Sequence, residues 1–157
     1  MTRQPVIVAL LLAGAMLPSA AVTSGISIEG LRYESGGVSD EELAQMRQQF
    51  GEFSFWLTTA AKGSGAYLAD IQVRITDLSD NRLVLSHKMD GPWLLVALPP
   101  GRYLVDALKW TGSAADAEVQ RRETTIGDKG LRQMVLYFET GDDTDPTRSA
   151  PPHHRTQ

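Results

Sequence analysis

The chain has 157 residues, 42% of them hydrophobic and 22% charged, with no cysteine and a formal net charge of -4. This mildly acidic balance, with its Lys and Arg scattered, offers no basic footprint for nucleic acid and nothing polybasic to attract anionic lipid. The missing cysteine excludes disulfides and a lipoprotein anchor, which is attached to a cysteine beside the processing site, so the core alone must hold the fold.

In chain order, residues 1–21 (MTRQPVIVALLLAGAMLPSAA) have the form of an export signal. Arg3 supplies the positive end, and Val6 to Leu17 form an apolar run shorter than the roughly 20 residues of a membrane span. Ser19 and Ala21 are spaced as a signal peptidase requires, so cleavage near Ala21 is expected; an uncleaved anchor is the competing reading, disfavoured by the short run. Cleavage removes Arg3 and no anion, moving the formal charge from -4 to -5. It leaves a periplasmic or secreted protein with no stable membrane anchor.

Residues 22–50 read as an N-terminal arm and a short helix. The arm, GISIEGLRYESGG (25–37), is punctuated by glycine and is expected to be extended or looped. VSDEELAQMRQQF (38–50) then predicts a helix over 39–49. Ser39 is the N-cap, Glu42 completes a capping box, and Asp40, Glu41 and Glu42 complement the helix dipole. Leu43, Met46 and Phe50 share one face, so the helix should lie against something apolar.

From residue 51 to 140 the period changes to two. FSFWLTTA (53–60), DIQVRITD (70–77), LVLSHK (83–88), WLLVAL (93–98), RYLVDALKW (102–110), DAEVQRRETTI (116–126) and LRQMVLYFE (131–139) are strand candidates. Between them stand turn signals: KGSGA, SDNR, Asp90-Gly91-Pro92 and Pro99-Pro100-Gly101, where proline fixes φ and glycine permits a positive φ. About seven short strands at regular spacing predict an all-β fold, a seven-stranded antiparallel β-sandwich with one short N-terminal helix. Residues 141–157, polar and rich in Pro, Asp, Thr and Ser, are expected to form a disordered tail.

Leu98 to Ala107, LPPGRYLVDA, resembles the LPPGxYxVxA signature of carboxypeptidase regulatory-like domains, which are transthyretin-like (prealbumin-like) β-sandwiches. Gly65 to Asp70 before an alternating strand, the Asp90-Gly91-Pro92 turn, and Gly36-Gly37-Val38 followed by Ser39 to Glu42 extend the likeness to a group of small exported bacterial proteins. The resemblance spans residues 36 to 138 or so. It implies a transthyretin-like fold and an accessory or binding role, not a reaction. Tyr103, Val105 and Ala107 should face the core, and the Tyr103 hydroxyl should then need a buried partner.

Signals for catalysis are few. There is no cysteine, no Gly-x-Ser-x-Gly elbow, and one histidine, His87, outside the tail. No metal-ligand spacing or phosphate-cradling loop occurs, and the His153–His154 pair reads as a solvated end. Hydroxyisourate hydrolases, enzymes of the same broad fold, end in Tyr-Arg-Gly-Ser; this chain ends HHRTQ, so that activity is not expected. No enzyme activity, cofactor or metal is therefore expected. An unforeseen carboxylate pair, Asp70 with Asp90, is the remaining route to catalysis, against turn capping as the plainer role.

Leu104, Leu108 and Trp110 occupy the strand face that solvent should see, and Trp56 breaks the same rule on the first strand. Either the N-terminal arm and helix cover them, or they form an exposed patch that binds something. The candidate binding surface is accordingly Trp56, Leu104, Leu108 and Trp110, with the turns around Tyr67 and Asp90. Trp93 opens a continuous apolar run and is expected in the core. The function expected is a non-catalytic interaction or accessory module of the cell envelope, whose partner is an envelope protein or a glycan. The alternative is a carbohydrate or small-ligand binding module using exposed aromatics.

Overall fold

The structure is a computed structural model that describes residues 21–112 and 116–140. Among these residues nine strands and one α-helix form: β1 (Thr23–Ile26), β2 (Arg32–Gly36), α1 (Asp40–Gln48), β3 (Phe55–Ala61), β4 (Gln72–Asp77), β5 (Arg82–Lys88), β6 (Trp93–Val96), β7 (Gly101–Trp110), β8 (Ala117–Ile126) and β9 (Arg132–Phe138). The strands make two sheets, five-stranded in the order β1-β2-β6-β3-β9 and four-stranded in the order β5-β4-β7-β8. The result is a mainly β, sandwich-like domain. The export-signal reading of residues 1–20 and the tail reading of 141–157 lie outside the described residues.

All seven strands read from the sequence are present, as β3 to β9. The arm takes the extended form expected of it and, beyond that reading, pairs into the sheet as two additional strands. β2 pairs with β6 from Tyr33 opposite Val96 to Gly36 opposite Trp93, β1 pairs back on β2, and residues 27–31 make the turn between β1 and β2. The fold is also not wholly antiparallel. β3 and β9 run parallel, from Phe55 beside Arg132 to Ala61 beside Phe138. Parallel neighbours need a long crossover, and here the whole four-stranded sheet with β6 intervenes.

Between the sheets lies the main core, in which Phe55 and Leu57 of β3, Val73 and Ile75 of β4, and Leu94 and Val96 of β6 meet Tyr103, Val105 and Ala107 of β7. The alternation of RYLVDAL therefore sets its inward face as expected. β6 reads as an unbroken apolar run because both its faces are covered: Leu94 and Val96 face the other sheet, while Trp93 and Leu95 join a second cluster with Met46 and Phe53. Leu43 and Phe50 pack against that cluster, so the helix forms a third layer on the outer face of the five-stranded sheet. Met46 is fully buried, which removes apolar surface worth about 1.5–3 kcal/mol.

The helix start is held as its sequence foretells, with one variation. Ser39 Oγ accepts the Glu42 N–H at 3.2 Å, but the Glu42 carboxylate reaches further back than a capping box does. Its Oε2 accepts the N–H groups of Gly37 (2.8 Å) and Val38 (3.0 Å), tying the end of β2 to the first turn of α1. At the Pro99-Pro100-Gly101 turn the hydroxyl of the buried Tyr103 ring donates to the Pro99 carbonyl at 2.9 Å, so its acceptor is found at the exposed turn rather than in the core. Gly91 lies where any Cβ would fall on the Gly36 carbonyl, so β2 and the turn into β6 approach closely only because residue 91 has no side chain.

Candidate functional site

The outer face of the four-stranded sheet is built by the central strand β7, which presents Leu104, Asp106, Leu108 and Trp110 on the side opposite the core. Register sets their neighbours. Leu104 stands between Thr76 and Glu123, Asp106 between Arg74 and Arg121, and Leu108 between Gln72 and Val119, while Trp110 lies opposite Ala117. Trp110 and Val119 are about half exposed, at 49% and 50%; Leu104 and Leu108 are partly covered. Arg121 grips Asp106 through both carboxylate oxygens, at 2.5 and 3.2 Å, and this pairing raises the guanidinium pKa further. The strip thus sets the Asp106–Arg121 ion pair, with exposed Arg74 beside it, between two apolar zones. Sequence reading missed Val119, which is the one large apolar residue within the polar run DAEVQRRETT; only its pairing with Leu108 reveals its role.

Trp56 does not belong to this surface. β3 and β7 sit in different sheets, so the outward side chains of the two strands point in opposite directions. The Trp56 ring packs 4.8 Å from Phe50 and 4.6 Å from Trp93, beneath the helical layer. The expected covering by the helix holds for Trp56 and fails for Leu104, Leu108 and Trp110. Trp93, 2% exposed, lies in the core as expected.

Tyr67 is 55% exposed and forms a bridge with Ala60 on the outer face of the five-stranded sheet. Asp90 sits at the corner before β6, where its backbone N–H donates to Ser35 Oγ at 2.9 Å. Asp70, at φ 61, donates its N–H to the Met89 carbonyl, which brings the Asp70 and Asp90 backbones together. Their carboxylates face separate partners: Asp70 pairs with Lys88 at 2.7 Å, and an Asp90 oxygen lies 3.5 Å from His87 Nε2. Side-chain exposures of 79% and 51% leave both aspartates at a hydrated rim, where general acid–base chemistry lacks an enclosing pocket.

His87 is the titratable group with the most distinctive surroundings. Its side chain is largely buried, with the ring 4.7 Å from that of Tyr33. Burial lowers its pKa from the ordinary value, and the nearby Asp90 carboxylate opposes that shift without cancelling it. Among the described residues no group of three or more His, Asp or Glu side chains could hold a metal ion. No described helix is long and apolar enough to cross a membrane.

Fold and surfaces together define a two-sheet, mainly β domain with one short helix, with Trp110 and Val119 exposed on the outer face of one sheet and Tyr67 and Tyr137 exposed on the outer face of the other. No protein-family model matches the chain, and no curated protein matches it.

Proposed function

We propose that this protein is an exported, non-catalytic accessory module of the cell envelope, with β3 to β9 forming a transthyretin-like sandwich of the carboxypeptidase regulatory-like kind. In this reading β1, β2 and α1 are an N-terminal addition to that sandwich. The LPPGRY turn supports the family resemblance, since its tyrosine closes the loop onto Pro99. Cleavage after Ala21 would leave Val22, which packs against the helix-side cluster, as the first residue of the mature domain.

The outer face of the four-stranded sheet is the docking surface for an envelope partner. One observation carries this: Trp110 and Val119, half exposed, continue the strip begun by Leu104 and Leu108 on a face that solvent would otherwise keep polar. A photo-crosslinking residue placed at Val119 in exporting cells is expected to give a discrete adduct that Trp110→Glu abolishes. N-terminal sequencing of the exported protein is expected to begin at Val22. Recovery with residues 1–21 intact overturns the export reading, and an adduct insensitive to Trp110→Glu overturns the docking reading.

A further inference from the structure

We infer that the opposite sheet carries a glycan-binding site, in which Tyr67 and Tyr137 form a stacking platform and Arg122 anchors a sugar carboxylate. It is a second surface, independent of the Leu104–Trp110 strip. β3 turns Phe55 and Leu57 to the main core, so Trp56, Thr58 and Ala60 alternate onto the outer face. The helical layer covers the Trp56 end. At the other end Ala60 has Tyr67 on one flank and Tyr137 of β9 on the other.

Directly opposed residues on neighbouring strands project to the same face, and two strand spacings place the tyrosine Cα atoms about 10 Å apart. Ala60 between them is only 4% exposed, whereas Tyr67 and Tyr137 are 55% and 52% exposed. Burial of the small residue beside two half-open rings makes a covered floor with free aromatic surface. Aromatic rings receive the C–H face of a pyranose, and a phenol adds a hydroxyl for hydrogen bonding. The spacing suits an extended β-linked chain in which every second sugar presents the same face.

Tyr137 also lines a cleft of about 300 Å³ where the free edges of β8 and β9 adjoin, together with Lys62, Glu118, Gln120, Arg122 and Glu139. Charges there are mostly engaged. Lys62 pairs with Glu139, and Glu118 accepts hydrogen bonds from the Glu139 N–H (2.9 Å) and from Gln120 (3.1 Å). Arg122 donates one N–H to the Arg121 carbonyl at 2.8 Å and makes no ion pair with a carboxylate among the described residues. A guanidinium with donors to spare, beside an aromatic platform, selects a planar carboxylate. The ligand class is therefore a β-linked glycan whose alternate sugars carry a carboxylate.

The test titrates the purified protein with a hyaluronan octasaccharide, which alternates carboxylated and neutral sugars, and with neutral chitohexaose, following amide NMR shifts and calorimetry. Hyaluronan is expected to bind more tightly and to shift Ala60, Lys62 and Val135. Tyr67→Ala and Tyr137→Ala should each weaken binding about tenfold at an unchanged unfolding midpoint, with Tyr→Phe restoring most of it. Arg122→Gln should erase the preference for hyaluronan over chitohexaose. Absence of binding by both probes at millimolar concentration, or affinity indifferent to the tyrosine substitutions, overturns the site. Equal affinity for the two probes in the parent protein overturns the carboxylate assignment.

Discussion

Tyr103→Phe isolates one hydrogen bond in the LPPGRY turn. The ring is 2% exposed and stays buried in the variant, while the 2.9 Å bond to the Pro99 carbonyl disappears. A neutral intramolecular hydrogen bond contributes a net 0.5–1.5 kcal/mol, and exposed Pro99 leaves its carbonyl able to bond water, so the expected loss is about 1 kcal/mol. For a folded unit of roughly 120 residues that lowers Tm by about 3–6 °C. Tyr103→Ala also discards the whole ring and should cost about 3–5 kcal/mol. Urea unfolding followed by circular dichroism reads both, with an unchanged m-value confirming that the unfolding reaction is the same. A second readout comes from alkali. Burial, with a smaller contribution from Asp77, pushes the phenol above its ordinary value of 10.0. The folded state therefore holds that proton more tightly, so this stabilisation is full below pH 10 and lost as pH rises through the raised value. Tyr103→Phe should remove the alkaline limb. A loss below about 0.3 kcal/mol with that limb intact would refute the role given to the hydroxyl.

Gly91→Ala should cost about 2–3 kcal/mol or more, because the new methyl falls on the Gly36 backbone rather than on a mobile side chain; thermal unfolding measures it. His87 should make the domain acid-sensitive. Its folded pKa is lowered, so stability is complete above the unfolded value of 6.5 and falls as pH drops toward the folded value, and His87→Gln should flatten the unfolding midpoint between pH 7 and 5. Of the three tryptophans, Trp110 should account for most acrylamide quenching, and Trp110→Phe should leave emission largely shielded, since Trp93 is buried and Trp56 lies under the helical layer. Glu42→Ala should cost about 1–3 kcal/mol in urea unfolding, because the buried Gly37 N–H loses its acceptor.

What was legible in the chain was local. Alternation in DIQVRITD and RYLVDALKW gave each strand its inward face, and the demand that a buried Tyr103 find an acceptor was met four residues away. That the extended arm pairs into the sheet is not legible, because neither cue applies to it. Glu34 and Ser35 are polar yet buried, and β2 joins the sheet by pairing with β6, about 60 positions later in the chain. Trp56 and Trp110 were grouped for a related reason. The side of its own strand that each residue takes is local information, but the sheet that the strand joins is decided by pairings between distant segments. Tyr137 beside Ala60 was hidden in the same way, since nothing in LRQMVLYFE points to FSFWLTTA.

The seam between β3 and β9 also governs when the domain can form. Lys62 and Glu139, paired across it, are 77 positions apart. So large a loop must close before its contacts return any free energy, which makes completion of the five-stranded sheet a late and slow event. Until β9 has left the ribosome, β3 keeps an open edge and the core lacks Leu136 and Phe138. Under the export reading this delay is useful. A chain that must thread a narrow channel unfolded cannot finish its fold prematurely when the last of the described strands is the one that closes it.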